Sequence, residues 1–141
     1  MLKLRGRPER DYISIADSAV IAEQSQWDKY MTSGFDPKHV ALVPSVVPTV
    51  FKLRALTRAQ AVALNLTSTN APRTAAIEDE IVAVGLRGVT GVPGLEFTLV
   101  GSGDKERVDE KTLNLLLENI DLRHELATMV VKLSSLVPLD D

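Results

Sequence analysis

The stretch from residue 48 to residue 60 constrains the fold most strongly, because the hydrophobic pattern changes there from irregular to that of a strand and then a helix. Residues 1–50 hold four prolines and unphased apolar positions, which argues against a long helix over most of that span. Residues 50–55 alternate apolar and basic side chains, as a strand with one solvated face does. Thr57 and Gln60 then have the T-x-x-Q spacing of a helix capping box. The sequence predicts a strand-to-helix junction here.

This junction divides the chain into two predicted parts. Residues 1–47 are expected to form an extended N-terminal arm with one short helix, which begins near Asp17 and ends at Gly34. Residues 48–141 are expected to form one compact α+β domain, since a chain of 141 residues is long enough for a single core. We therefore expect the arm to take its order largely from neighbouring proteins.

The predicted fold class is α+β and mostly helical, with about four helices and a small two-stranded β element. The four helices of the domain are expected over residues 57–66, 73–86, 109–120 and 122–137. The acidic residues 78–80 should lie on the solvated side of the second helix. Residues 95–99 alternate again, and we expect this strand to pair with residues 50–55. The glycine-rich residues 85–94 are expected to be a turn-rich connection.

The composition narrows the class of protein. The chain contains no cysteine, which excludes disulfides, thiolate metal sites and cysteine catalysis. No apolar run approaches the ~18 residues of a membrane span, and no signal peptide is evident, so we expect no membrane association. The formal net charge of -3 is too small to indicate wholesale nucleic-acid binding. These totals favour a soluble protein made in the cytoplasm.

The titratable residues do not form a catalytic set. The two histidines, His39 and His124, lie in different segments, and we interpret both as surface residues. Residues 78–80 point in different directions on a helix and cannot converge on one metal ion. The glycines of residues 85–94 follow a predicted helix and lack the Lys of a phosphate-binding loop. We predict that the protein is not an enzyme and uses no cofactor or metal.

Basic residues are concentrated at the N-terminus, and they are Lys3, Arg5, Arg7 and Arg10. On a flexible arm they could contact DNA phosphates and add a salt-dependent affinity. We favour a solubilising arm, or one that pairs with an acidic surface such as the C-terminal region of another copy, because no aromatic surface accompanies the basic residues. DNA contact stays an open alternative.

Four large side chains stand together in the otherwise core-poor arm, and they are Trp27, Tyr30, Met31 and Phe35. Aromatic residues and Met are enriched in protein interfaces, so this group is a candidate interface. The alternative is that the four side chains dock the arm on its own domain. The sequence favours neither.

The order of the segments resembles that of small proteins from tailed-bacteriophage structural gene clusters, especially those of the tail-assembly-chaperone type. The resemblance covers roughly residues 30–137. It is carried by "FDPKHVALVP" leading to "PTVFKLRALTRAQ", by "IVAVGLRGVTGV" and by "LATMVVKLSSL". The basic N-terminal residues lie outside it.

The resemblance implies a non-enzymatic protein of virion assembly that works through protein contacts. It implies a protein that is made in the host cytoplasm and binds other phage structural proteins, as a homo-oligomer or as part of a larger assembly. The long arm favours a virion component of the capsid, neck or tail, because such a segment gains order by wrapping neighbours. The alternatives are a tail assembly chaperone that does not stay in the virion, and a small DNA-associated protein that uses the basic arm.

Overall fold

The computed structural model of the chain describes residues 3–4, 9–14, 17, 24–43, 46–64, 66, 73–135 and 139–140. Within them the fold is α+β and mostly helical, as predicted. The α-helices are α1 Gln24–Thr32, α2 Arg58–Ala63, α3 Ala75–Gly85, α4 Glu110–Leu116 and α5 Ile120–Ser135. The strands are β1 Lys3–Leu4, β2 Glu9–Tyr12, β3 Val50–Arg54, β4 Leu86–Thr90, β5 Leu99–Val100, β6 Arg107–Val108 and β7 Leu139–Asp140.

An antiparallel sheet of three strands, in the order β2, β3, β4, forms the centre of the fold. Tyr12 pairs with Phe51, and Phe51 pairs with Val89, so one row of large side chains crosses the sheet. Phe51 and Leu53 are buried whereas Lys52 is exposed. This confirms the strand with one solvated face that the alternation predicts.

The partner of β3 differs from the predicted one. Residues 95–99 do not pair with β3, since Leu99 belongs to β5 and pairs with Val108 of β6. The glycine-rich segment supplies the partner instead, because α3 ends at Gly85 and the chain continues directly into β4. The prediction of a turn-rich connection is wrong for the first half of residues 85–94. An isolated glycine weakens a strand but does not prevent one.

Gly91 makes the turn that follows β4. Its φ of +86° lies in the left-handed region, and a Cβ added to it would stand 2.3 Å from the carbonyl oxygen of Pro48. Only glycine meets both conditions. The loop after β4 therefore lies directly against the segment that leads into β3.

The described part of the N-terminal segment packs against the rest of the chain, which differs from the expected extended arm. β2 pairs with β3 along its whole length. Tyr12, Tyr30 and Phe35 belong to the same buried cluster as Phe51. Fully burying a large apolar side chain contributes about 1.5–3 kcal/mol. These contacts place the described part of this segment on the chain's own core.

The described part of the N-terminal helix runs from Gln24 to Thr32. Residues 18–23, over which the helix was predicted to start, lie outside the part of the chain that the structure describes. The carboxylate of Asp17, expected near the helix start, accepts a hydrogen bond from the Thr49 amide at 2.8 Å. The predicted end is confirmed, since α1 stops at Thr32 and Gly34 has a φ of +76°.

The predicted capping box of α2 is confirmed. The Gln60 amide donates to Thr57 Oγ1 at 3.1 Å, and the Thr57 amide donates to Gln60 Oε1 at 2.9 Å. α3 also has a threonine cap, because the Ile77 amide donates to Thr74 Oγ1 at 3.2 Å. Both helices thus begin where a side-chain oxygen satisfies an amide of the first turn.

The main helix contact of the core joins α3 and α5. Gly85 permits it, since an added Cβ would stand 2.6 Å from Val130 Cγ1. Ile81 and Leu126 are also fully buried in this core. Among the described residues 109–135, the predicted apolar stripes are confirmed except at Ile120, which is 64% exposed. The first of these helices ends at Leu116 instead of residue 120, and Ile120 begins α5.

Candidate functional site

Three valines with exposed side chains lie near one end of the central sheet. Val46 and Val47 precede β3, and Val92 follows the turn at Gly91. Their exposed fractions are 38% for Val46, 75% for Val47 and 38% for Val92. The contact between Gly91 and Pro48 brings the two segments together. We call these three residues the valine surface.

The four predicted interface residues divide into two buried and two half-buried side chains. Tyr30 is 1% exposed and Phe35 is 2% exposed, whereas Trp27 and Met31 pack against the core at its border. The Tyr30 ring centroid lies 5.1 Å from that of Trp27 and 5.7 Å from that of Phe35. Tyr12 completes this aromatic cluster, with its centroid 5.0 Å from that of Phe35. These contacts correspond to the alternative in which the segment docks on its own domain.

Hydrogen bonds fix the aromatic cluster to α5. The Tyr12 hydroxyl donates to Glu125 Oε2, and Ser14 Oγ donates to Glu125 Oε1 at 2.8 Å. Burial, reinforced by the hydrogen bond to Glu125 and its negative charge, raises the pKa of Tyr12. The Tyr30 hydroxyl accepts from the Ile13 amide at 2.9 Å, and burial raises the pKa of Tyr30 to about 12. Both tyrosines are therefore neutral at physiological pH.

A second polar cluster joins α3 to α5 around the carboxylate of Glu78. Arg73 Nη2 lies 3.4 Å from Glu78 Oε2, and Arg123 Nε lies 3.7 Å from Glu78 Oε1. His124 Nδ1 lies 2.6 Å from Glu78 Oε2. Arg73 also donates to Thr128 Oγ1 at 2.7 Å. The prediction that residues 78–80 form a solvated face is wrong for Glu78, which is 5% exposed.

The charges around Glu78 explain its burial. A carboxylate removed from water needs partners for its charge, and here the partners are two guanidinium groups and an imidazole. Arg73 and Arg123 both contact the carboxylate of Glu78 in α3. The cluster is therefore suited to holding α3 and α5 together. No group of three or more metal-ligating side chains occurs among the residues that the structure describes.

The two histidines lie in different environments. The side chain of His124 is 67% exposed, which agrees with the surface position predicted for it. His39 ends the 3₁₀ turn Pro37–His39 and is half-buried. They belong to separate elements, and the described contacts do not bring them together.

The structure describes part of the predicted basic arm. Lys3 belongs to β1, which pairs with β7, and Arg10 belongs to β2 and is exposed. Arg5 and Arg7 lie outside the described residues. Arg10 Nη1 donates to the Glu9 carbonyl at 2.8 Å. Because β2 pairs with β3, the backbone of Arg10 is part of the central sheet and does not belong to a flexible arm.

Tyr12, Glu78 and Glu125 form the polar contacts of α5, and none of the three is marked as a site residue by the sequence alone. The three residues stand far apart in the chain, and the contacts between Tyr12 and Glu125 span 113 positions. A signal was present for Glu78, because it precedes the apolar Ile81 and Val82 by three and four residues and so shares their helix face. Nothing comparable marks Tyr12.

Comparison with protein-family models, with curated proteins and with solved structures gave no match. Among the described residues, no helix has the length and apolar character needed to cross a membrane.

Proposed function

We propose that the chain is a structural or accessory component of a tailed-bacteriophage particle, where it contacts other structural proteins of the capsid, neck or tail. In this proposal it is made in the host cytoplasm and retained in the virion. The observation that carries the proposal is the valine surface. Exposed apolar side chains that the fold holds together are a common feature of protein-binding surfaces. The resemblance of the segment order to phage structural proteins supplies the class of partner.

The geometry of the valine surface suits a protein partner. Val47 is 75% exposed, and fully burying a valine side chain contributes about 1.5–3 kcal/mol. The close contact of Gly91 with Pro48 fixes the loop that carries Val92. A partner therefore gains apolar burial without ordering a mobile loop first.

Mass spectrometry of purified virions tests the proposal directly. The chain should be present in particles of the phage that encodes it, at a fixed stoichiometry to the major structural proteins. The substitution Val47→Asp should reduce incorporation strongly, because it places a charge in the centre of the contact. Val100→Asp is the matched control, since Val100 is also an exposed valine, 43% exposed, but lies in β5.

Three outcomes separate the alternatives. A chain that is present in virions and is lost with Val47→Asp supports the proposal. A chain that is absent from mature particles but required for their production is instead a tail assembly chaperone. If Val47→Asp and Val100→Asp are incorporated equally, the valine surface is not part of the contact with the virion.

A further inference from the structure

The helix α2 has no buried residue in the described structure, although its N-terminus is well capped. Its Val62 is 66% exposed. A six-residue helix gains little stability by itself, because the cost of helix nucleation is spread over few hydrogen bonds. Most helices of this length are stabilised by packing. α2 therefore presents apolar surface that the described residues leave uncovered.

A groove runs beside α2 and encloses about 350 Å³. Ala63, Leu64 and Val84 give it apolar walls, and Lys105 and Arg107 stand at its border. Binding pockets typically enclose roughly 300–1,000 Å³, so the groove has room for apolar side chains of a partner.

The charge at the border of the α2 groove is net positive. Arg107 Nη1 contacts Glu80 Oε1 at 2.8 Å, which offsets one cation. Lys105 is exposed and adds a second positive charge beside the pair. A partner that combines apolar side chains with carboxylates is complementary to this groove.

The same chain presents such a surface at the junction of α4 and α5. Leu115 is 57% exposed and Ile120 is 64% exposed. Glu118 and Asp121 stand beside them and are exposed. We call these four residues the acidic ridge. The ridge is negatively charged, because Glu118 and Asp121 are both acidic. Glu110 and Lys111, at the start of α4, have opposite charges that offset each other.

We propose that the acidic ridge of one copy docks into the α2 groove of a second copy. Leu115 and Ile120 would enter the apolar part of the groove, and Glu118 and Asp121 would face Lys105 and Arg107. The ridge and the groove are different surfaces, and in this proposal they meet head to tail in a heterologous contact. Repetition of such a contact makes a ring if it closes and a filament if it does not. The inference rests on the proposed function in one respect, since it names a second copy as one of the protein partners.

The contact is tested with two variants of the full-length chain, Leu115→Asp in the ridge and Ala63→Glu in the groove. The wild-type chain should form oligomers whose mass, measured by light scattering during gel filtration, grows with concentration. Each variant should remain a monomer in the same range. Removing a central apolar contact should weaken association roughly 30-fold or more. Circular dichroism should be unchanged, because both substituted side chains are exposed.

A mixture of the two variants is the decisive measurement. Leu115→Asp keeps an intact groove and Ala63→Glu keeps an intact ridge. An equimolar mixture should therefore form a heterodimer of twice the monomer mass and stop there. Two surfaces that contact each other symmetrically would give no such complementation.

The charges are tested with Lys105→Glu, which should weaken self-association, and with the double variant Lys105→Glu/Glu118→Lys, which should restore part of it. A wild-type chain that stays monomeric up to high concentration overturns the inference, and so does a mixture whose variants stay monomeric. Val47→Asp distinguishes this failure from failure of the proposed function, because it should leave self-association unchanged and reduce only incorporation into virions.

Discussion

Two glutamates contribute to the packing of α5, and their partners differ in kind. Glu78 of α3 is contacted by the guanidinium groups of Arg73 and Arg123 and by the imidazole of His124, and the last two residues belong to α5. Glu125 of α5 accepts hydrogen bonds from two neutral hydroxyls, those of Tyr12 and Ser14. The first arrangement joins two core helices, and the second joins α5 to the N-terminal segment.

The comparison shows two ways in which a partly or fully buried carboxylate is stabilised. Opposite charges compensate the loss of water around Glu78, and removing one charge of such a group leaves the others buried and unpaired. Hydroxyl donors stabilise Glu125 through charge-assisted hydrogen bonds, and each of these bonds contributes less than a buried charged partner of Glu78 does. Removing the first carboxylate should therefore cost more free energy than removing the second, although both are glutamates at contacts of α5.

The largest effect is expected for Glu78→Gln. This change leaves the guanidinium groups of Arg73 and Arg123 close to a neutral amide, and the free energy of unfolding should fall by about 3 kcal/mol. Urea denaturation measures it. Glu80→Gln is the matched control in the same helix, since the Glu80 side chain is 38% exposed and its pair with Arg107 should contribute less than about 1 kcal/mol. Equal losses in the two variants would contradict the burial of Glu78.

The next effect concerns the close packing that brings α3 and α5 together. Gly85→Ala should lower the free energy of unfolding by about 2 kcal/mol, because the new Cβ would stand 2.6 Å from Val130 Cγ1. The sign is informative, since alanine in an uncrowded helix would stabilise by up to about 1 kcal/mol.

Two further variants isolate the contact at Gly85. In a Val130→Ala background the added cost of Gly85→Ala should shrink, and a double-mutant cycle measures this coupling. Gly88→Ala is the control glycine in β4, where a Cβ would lie 3.6 Å from Lys52 Cβ, an ordinary contact. A stabilised Gly85→Ala variant would show that α3 and α5 are farther apart than described.

A smaller effect is expected for Glu125→Gln. The amide oxygen can still accept one of the two hydroxyl hydrogen bonds but carries no charge, and the free energy of unfolding should fall by about 1.5 kcal/mol. Fluorescence of Trp27 should report the change, because its ring lies 6.3 Å from that of Tyr12. Glu96→Gln, at an exposed position, should change stability by less than about 0.5 kcal/mol. A loss as large as that of Glu78→Gln would remove the distinction between the two glutamates.

The parts of the fold that were predicted correctly depend on residues close together in sequence. The capping box of Thr57 and Gln60, the strand at residues 50–54 and the apolar stripe of α5 all have local patterns. The strand partners were not predictable in this way. β2 has only one buried residue, Tyr12, so it shows no alternation, and β4 contains a glycine and follows a helix without a turn.

The two glutamate sites were missed for a related reason. In sequence Glu78 belongs to an acidic run and Glu125 stands beside His124, which is the usual pattern of a solvated helix face. Most of their partners come from other segments, and only the tertiary fold shows that Arg123, Tyr12 and Ser14 reach them. The candidate interface residues pack on the chain's own core together with Tyr12, which no pattern in the sequence connects with them.

The smallest effect is expected for Tyr30→Phe, which removes the acceptor of the Ile13 amide and should cost about 1 kcal/mol at neutral pH. The pH dependence of this stability difference tests whether the Tyr30 hydroxyl is buried and neutral. Burial raises the pKa of Tyr30 from 10.0 to about 12, so the folded chain holds this proton more tightly than the unfolded chain. The stability linked to it is present below pH 10 and is lost as pH rises towards 12.

Wild type should therefore lose more stability than Tyr30→Phe over this alkaline range, and the two unfolding curves should converge as pH rises. Tyrosinate absorbance follows the same titration, since Tyr12 and Tyr30 are the only tyrosines of the chain. Tyr12 is present in both proteins, so the difference between them isolates Tyr30. Parallel curves, or tyrosinate that appears at pH 10 while the chain is still folded, would place the Tyr30 hydroxyl in solvent and contradict its hydrogen bond with the Ile13 amide.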